Sequence, residues 1–399
     1  VLTVDTASGD VVDYRQQNVA ATSTPFTALV DTYPRVAEVK EILDAALAEA
    51  EEIGSVPVGS VTEDITTAHT VDDEGEPARD DRTSESTLGN LVANALRDQL
   101  SEERLGAAEI GVVNPGGLRA ELLYEEDGVI TFAEANAVLP FVNNLWTLTL
   151  TGEQFVTMLE QQWQPSGASN PFLHLGLSDN VSYTFDPEAE SGERITSVTI
   201  DGEPLDPAAE YRIGTFSFLA EGGDNFAVFR DATDVQDTGL VDRDAWIEYI
   251  GENSPLSPDF ARRATVVQPL PEELTAGEEV SFEVSRLDLT SLGSPDNTEL
   301  AVYLVGADGE RGEAVHTAPV ADGAATVEFT VPVGLEGDYT LEMEAAPSGT
   351  TIQAPVTVAP GDGGPGEPGE PGEPGWQDLV RELLELLGKL IKWIIGWPW

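Results

Sequence analysis

The stretches Asn114-Pro-Gly-Gly-Leu-Arg119 and Phe216-Ser-Phe-Leu-Ala-Glu-Gly-Gly-Asp-Asn-Phe226 decide how this chain is read. In the first, Gly116 and Gly117 let the backbone approach a ligand closely, and Arg119 follows with a planar fork suited to an anion. In the second, Phe218 precedes a Gly222-Gly223-Asp224 turn, so a flat ring and a carboxylate can face one cavity. Two further stretches add the same kinds of residue. Arg82 opens Arg82-Thr-Ser-Glu-Ser-Thr-Leu-Gly89-Asn90, just ahead of a helix start, and Phe141 lies in Ala137-Val-Leu-Pro-Phe-Val-Asn143. Each has a plain explanation when taken alone. A surface Arg usually bridges neighbouring carboxylates, and a Phe among apolar neighbours is usually core.

Working outward, the body is a mixed α/β arrangement. Pro34 suits the first turn of a helix running to about residue 53, with Val36, Val39, Ile42, Leu43, Ala46 and Leu47 on one face. Residues 71–82 form an acidic loop without the alternating ligand spacing of a calcium loop, so they read as a solvated insertion. A second helix is expected over 86–99, with Leu88, Leu91, Val92 and Leu96 inward. From 108 to 234 short apolar strands alternate with a helix over 152–163. After residue 266 the texture changes to strict period-two alternation, as in Val280-Ser-Phe-Glu-Val and Ala325-Thr-Val-Glu-Phe-Thr-Val. That pattern predicts a small all-β sandwich resembling bacterial immunoglobulin-like modules, with no cluster of chemistry-bearing residues, and so a spacer or stalk.

The chain has 399 residues, too many for one ordinary domain, and 41% hydrophobic content is ample for packed cores. Its 73 acidic and 19 basic residues give a formal charge of −54. Such a surface repels nucleic-acid polymers and anionic membranes. There is no Cys, which excludes disulfides, thiolate metal sites and a thiol nucleophile.

The four stretches, in this order and at similar spacing, resemble the substrate-recognising C-terminal domain of the 5'-nucleotidase family over roughly residues 30–265. Pro115 replaces a Gly common in the family's loop. The resemblance implies that Arg82 and Arg119 hold a substrate phosphate, that Phe141 and Phe218 sandwich the base, and that Asp224 binds ribose hydroxyls. It also implies that Asn114, Gly117, Asn143 and Gly176 surround the base. The implied ligand is a nucleoside monophosphate or a related nucleotide. The family hydrolyses phosphate esters with two divalent metal ions held by an N-terminal domain. Here only His69, His174 and His316 exist, dispersed, so neither a catalytic residue nor a metal ligand is assigned within this chain.

The resulting expectation is a domain order. Residues 1–33 form the end of a missing catalytic domain and a linker; 34–266 form the α/β nucleotide-binding domain; 267–359 form the sandwich. A Gly-Glu-Pro linker follows over 360–375 and an amphipathic helix over 376–399. That last segment is neutral, with Asp378, Glu382 and Glu385 against Arg381, Lys389 and Lys392, and is expected to lie in a membrane interface or to self-associate. The whole is expected to belong to a secreted or cell-surface 5'-nucleotidase-like hydrolase, with this chain inactive by itself. The rivals are a non-catalytic nucleotide-binding protein and a structural surface protein. Within the enzyme class, cyclic-nucleotide and nucleotide-sugar substrates stay open.

Overall fold

The computed structural model describes residues 1–18, 20–307 and 309–361. The expected linker and amphipathic helix lie almost wholly outside the described residues. Among the described residues no helix is long and apolar enough to cross a membrane.

The chain opens with an exposed hairpin, Leu2–Val4 against Val11–Tyr14, then two helices, Phe26–Thr32 and Pro34–Gly54. Pro34 stands in the first turn, where its fixed φ suits a helix and its missing N–H matters least. The expected apolar stripe is present, but Val39, Ile42, Leu43 and Leu47 face solvent. The far end of the helix meets the body, where a Cβ on Gly54 would lie 3.1 Å from that of Ala133.

The α/β body is built on a five-stranded sheet. Its order is Thr233–Val241, Asn144–Thr151, Glu210–Phe216, Ile110–Val113 and Gly176–Leu177. Alternate side chains of Asn144–Thr151 serve different cores, as a period of two requires. Leu145 packs with Leu88, Val92 and Leu96 of helix Thr87–Gln99 and with Trp246 of helix Asp242–Asn253. Leu148 and Leu150 pack on the other side with Phe155, Met158 and Leu159 of helix Gly152–Glu160. This last helix ends three residues earlier than the sequence suggested, and Trp163 instead forms a bridge with Phe172. Helix Thr87–Gln99 lies close on the sheet because glycines permit it. A Cβ on Gly111 would fall 1.8 Å from the Ala93 carbonyl oxygen, and one on Gly214 2.9 Å from Leu100. Ser86 caps the helix by accepting from the Gly89 N–H at 3.0 Å. These contacts anchor the segment that carries Arg82.

Two small pairs, Pro57–Ser60 with Val129–Thr131 and His69–Val71 with Pro77–Arg79, stand apart, and the other strands form two facing sheets. One runs Glu203–Pro204, Ile195–Ile200, Val181–Phe185, Ala264–Gln268, Glu279–Ser285, Ala325–Thr330. The other runs Glu273–Thr275, Thr350–Ala359, Gly337–Ala346, Glu299–Gly306, His316–Pro319. Phe282, Val284 and Val327 from the first meet Val302, Leu341 and Met343 from the second in a third core. The alternation read from the sequence is the alternation of burial: Ala325–Thr330 is buried and exposed by turns throughout.

The border expected between 266 and 267 falls inside strand Ala264–Gln268. This strand pairs parallel with Val181–Phe185 of the α/β body and antiparallel with Glu279–Ser285 of the sandwich. Val266 packs in the body's core and its neighbour Val267 in the sandwich's, because consecutive side chains point to opposite faces. One sheet is therefore common to both parts. The sandwich also reaches back into the body: Ser291 Oγ accepts from the Thr87 N–H at 3.0 Å and donates to the Thr66 carbonyl at 3.1 Å.

Candidate functional site

Strand Ile110–Val113 delivers Asn114, and Pro115–Gly117 turn immediately afterwards, closed by Gly117 N–H donating to the Asn114 carbonyl at 3.0 Å. A Cβ on Gly116 would lie 3.4 Å from Arg82 Nη1, 3.4 Å from Asn114 Nδ2 and 3.5 Å from an Asp224 carboxylate oxygen. Three separate segments thus converge on one small glycine. Asp224 reaches this point from a tight turn in which Gly222 has φ 81°, Asp224 φ 51° and Asn225 φ 66°. Two consecutive non-glycine residues in the left-handed region cost about 1–2 kcal/mol each, and the Asn114–Asp224 bond, 2.6 Å from Nδ2 to Oδ2, helps to hold them.

Around that convergence lies a cavity of about 350 Å³, lined by Arg82, Asn114, Gly116, Gly117, Phe141, Asn143, Phe216, Phe218 and Asp224. Its two distinctive walls are rings left in solvent, with Phe141 55% and Phe218 45% exposed. Phe218 sits at the start of helix Ser217–Ala220 over Gly223, where an added Cβ would fall 2.5 Å from the ring. Phe141 follows Pro140 and is backed by Arg119, whose guanidinium carbon lies 5.7 Å from the ring centroid. Arg119 therefore stands at the rim, behind an aromatic wall, with one contact to the Gly116 carbonyl at 3.4 Å.

Arg82 is oriented by Asp80, which accepts from Nη2 at 2.8 Å and from Nε at 3.1 Å, leaving Nη1 toward the cavity. The hydrogen bonds to Asp80 raise the Arg82 pKa, burial opposes them, and the charges of Asp80 and Asp224 add to the rise. Asn143 is fixed by Asp242, which accepts from its backbone N–H at 3.1 Å and its Nδ2 at 2.9 Å. Burial holds the Asp242 carboxyl above the usual carboxylate range. Asn114 Oδ1 is buried without a hydrogen-bond partner. Its Nδ2 must face the carboxylate, which only accepts, so the free atom is an acceptor.

The structure thus brings Arg82, Asn114, Gly117, Phe141, Asn143, Phe218 and Asp224 to one cavity, places Arg119 at its edge, and puts Gly176 elsewhere. Gly176 packs on Gly89, where a Cβ would be 2.4 Å from the Gly89 carbonyl oxygen. Its smallness serves strand-on-helix contact. Sequence reading missed Asp80, Phe216 and Asp242. Asp80 sits two residues before Arg82 inside a loop whose acids all read as solvated. Asp242 lies 99 residues from Asn143 and carries no local signal.

Behind the Arg82 segment, Glu85 is fully buried and accepts from Arg263 N–H at 2.6 Å, Asn90 Nδ2 at 2.9 Å and Ala264 N–H at 3.1 Å. Arg262 Nε lies 3.3 Å away. Burial alone would raise the Glu85 pKa, but the Arg262 charge and these donors outweigh it and lower it. His174, beside this cluster, is pushed down to about 4, chiefly by burial, with the Glu85 charge pulling the other way. It is a core histidine.

The likeness of this chain to known proteins is specific. Residues 57–231 match the family model of the 5'-nucleotidase C-terminal domain. The trifunctional nucleotide phosphoesterase protein YfkN of Bacillus subtilis is 32% identical over 221 residues, covering 53% of this chain and 14% of that protein. Cell wall protein Lmo0130 of Listeria monocytogenes is 30% identical, covering 54% of this chain and 27% of that one. The structure of a 5'-nucleotidase precursor from Thermus thermophilus superposes with TM-score 0.46 at 26% identity, covering 66% of this chain and 48% of that chain. The chain spans well under half the length of the curated relatives it matches.

The two-metal centre that the family implies needs clustered His, Asp and Asn donors. Among the described residues no three His, Asp or Glu side chains lie together as a metal site. His69 bonds the Thr67 carbonyl, His174 is buried, and His316 stacks on Phe329. These residues do not fit such a centre, and no chemical step is assigned to one here.

Proposed function

We propose that this chain supplies the nucleotide-recognising part of an extracytoplasmic 5'-nucleotidase-like phosphoric ester hydrolase. The carrying observation is the single cavity bounded by two exposed Phe rings and the Arg82, Asn114 and Asp224 side chains. A planar base fills the slot between Phe141 and Phe218, where stacking is worth about 1–3 kcal/mol per base. Asp224, held by Asn114, accepts from ribose hydroxyls. Arg82 Nη1 and Arg119 face the phosphate, with Asp80 holding the first of them in place. The two divalent ions expected to carry out hydrolysis need donors outside the described residues. The acidic surface and the relation to a protein named for the cell wall support a secreted or surface setting.

Calorimetric titration with AMP, adenosine and inorganic phosphate tests the reading. AMP and adenosine are expected to bind, and AMP to remain unhydrolysed by this chain with added divalent cation. Arg119→Ala is expected to weaken AMP more than adenosine. A folded chain that binds neither compound sinks the proposal.

A further inference from the structure

A second cleft, of about 570 Å³, opens where the α/β body meets the sandwich, with Thr83 and Ser84, next in sequence to Arg82, in its lining. The body contributes Trp163, Phe172 and Phe185, and the sandwich contributes Arg286. Arg286 stacks over Phe185 at 5.3 Å and, among the described residues, makes no hydrogen bond or ion pair. Its backbone is held at φ 58°, a conformation that a long side chain adopts only when the surroundings impose it. Burial and then the like charge of Arg262 lower its pKa, while the charges of Tyr183 and Asp81 pull the other way. Among the described residues the Arg286 guanidinium has no paired carboxylate, so its donors are open to an anion, and Arg262, Asp288 and Asp322 line the same cleft.

The aromatic wall narrows the ligand further. Trp163 and Phe172 meet at 83°, with centroids 4.8 Å apart, so they form a corner and not the parallel slot that a flat base needs. A corner of ring edges and faces suits the C–H surface of a puckered sugar. Thr83 and Ser84, with the Asp322 carboxylate, line the same cleft and can pair with hydroxyls.

We propose that this cleft binds an acidic saccharide, a sugar bearing one carboxylate or phosphate, with its acid group on Arg286 and its ring against Trp163 and Phe172. The site is separate from the nucleotide cavity and does not depend on that assignment.

The test is titration of the chain, by calorimetry or ligand-observed NMR, with glucuronate and glucose 6-phosphate, using glucose and inorganic phosphate as half-ligands. At least one acidic sugar is expected to bind saturably and more tightly than either half-ligand; which one binds tells carboxylate from phosphate. Arg286→Gln and Phe172→Ala, each checked for an unchanged circular dichroism spectrum, are expected to weaken it about tenfold or more. Addition of AMP is expected to leave the sugar affinity unchanged. Absence of saturable binding, unchanged affinity in both variants, or displacement of the sugar by AMP would each overturn the assignment.

Discussion

Replacing Phe218 by alanine removes one wall of the nucleotide cavity while leaving the frame that holds it. Phe218 is 45% exposed and Phe141 55%, so roughly half of each side chain is available to a ligand. A buried aromatic covers about 150–250 Å², and half of that is about 100 Å². At about 25 cal/mol per Å², complete coverage is worth about 2.5 kcal/mol, an upper bound because a base meets one face of each ring. About 1–2 kcal/mol then remains, within the range found for base–aromatic stacking. Each variant should therefore weaken AMP and adenosine alike, by about five- to thirty-fold, and leave inorganic phosphate unaffected. The paired variant should lose less than the sum, since two rings on one base act as a unit. Both side chains are solvent-facing, so melting temperatures should stay close to the parent's. Calorimetry with the three ligands reads all of this. If both single variants bind AMP like the parent, the slot is wrongly placed; if they unfold, the rings are structural.

Gly176→Ala should destabilise by about 1–3 kcal/mol or more, because its Cβ would strike the Gly89 backbone, which has no side chain to move aside; the urea midpoint measures it. Glu85→Ala should cost about 3–5 kcal/mol by stranding the buried Arg262 guanidinium, and a midpoint like the parent's would show that the pair contributes nothing. Stability should also fall on acidification. His174 takes up its proton near 6.5 when unfolded but only near 4 when folded, so the unfolded state binds more protons between those values. About 3 kcal/mol present above pH 6.5 is then lost as the pH drops through 4. Denaturant titrations across that window should show the slope, and His174→Asn should flatten it.

The contrast between Arg82 and Gly176 shows what was legible beforehand. Arg82, Asn114, Phe141, Phe218 and Asp224 could be picked out because each sits in a short stretch whose neighbours already suit its role. A glycine pair permits close approach, a proline precedes one ring, and a Gly-Gly turn precedes the carboxylate. Periodicity likewise announced the helix at 87 and the alternating strands after 279, since burial of one face imposes a period on the chain itself; the helix at 34 shows the same period with its stripe facing solvent. Gly176 looked like part of the same site, yet its role is a backbone contact with Gly89 that no local pattern encodes. Asp80, Asp242 and Glu85 are acids among many acids, and their roles arise from Arg82, Asn143 and Arg262, brought to them by folding. The strand at 264–268 is the clearest case. The sequence by itself determined that it is apolar and extended and that the texture changes beside it. Only the tertiary structure decided that Val266 faces one core and Val267 another, because the two faces of a strand are assigned by what packs against them.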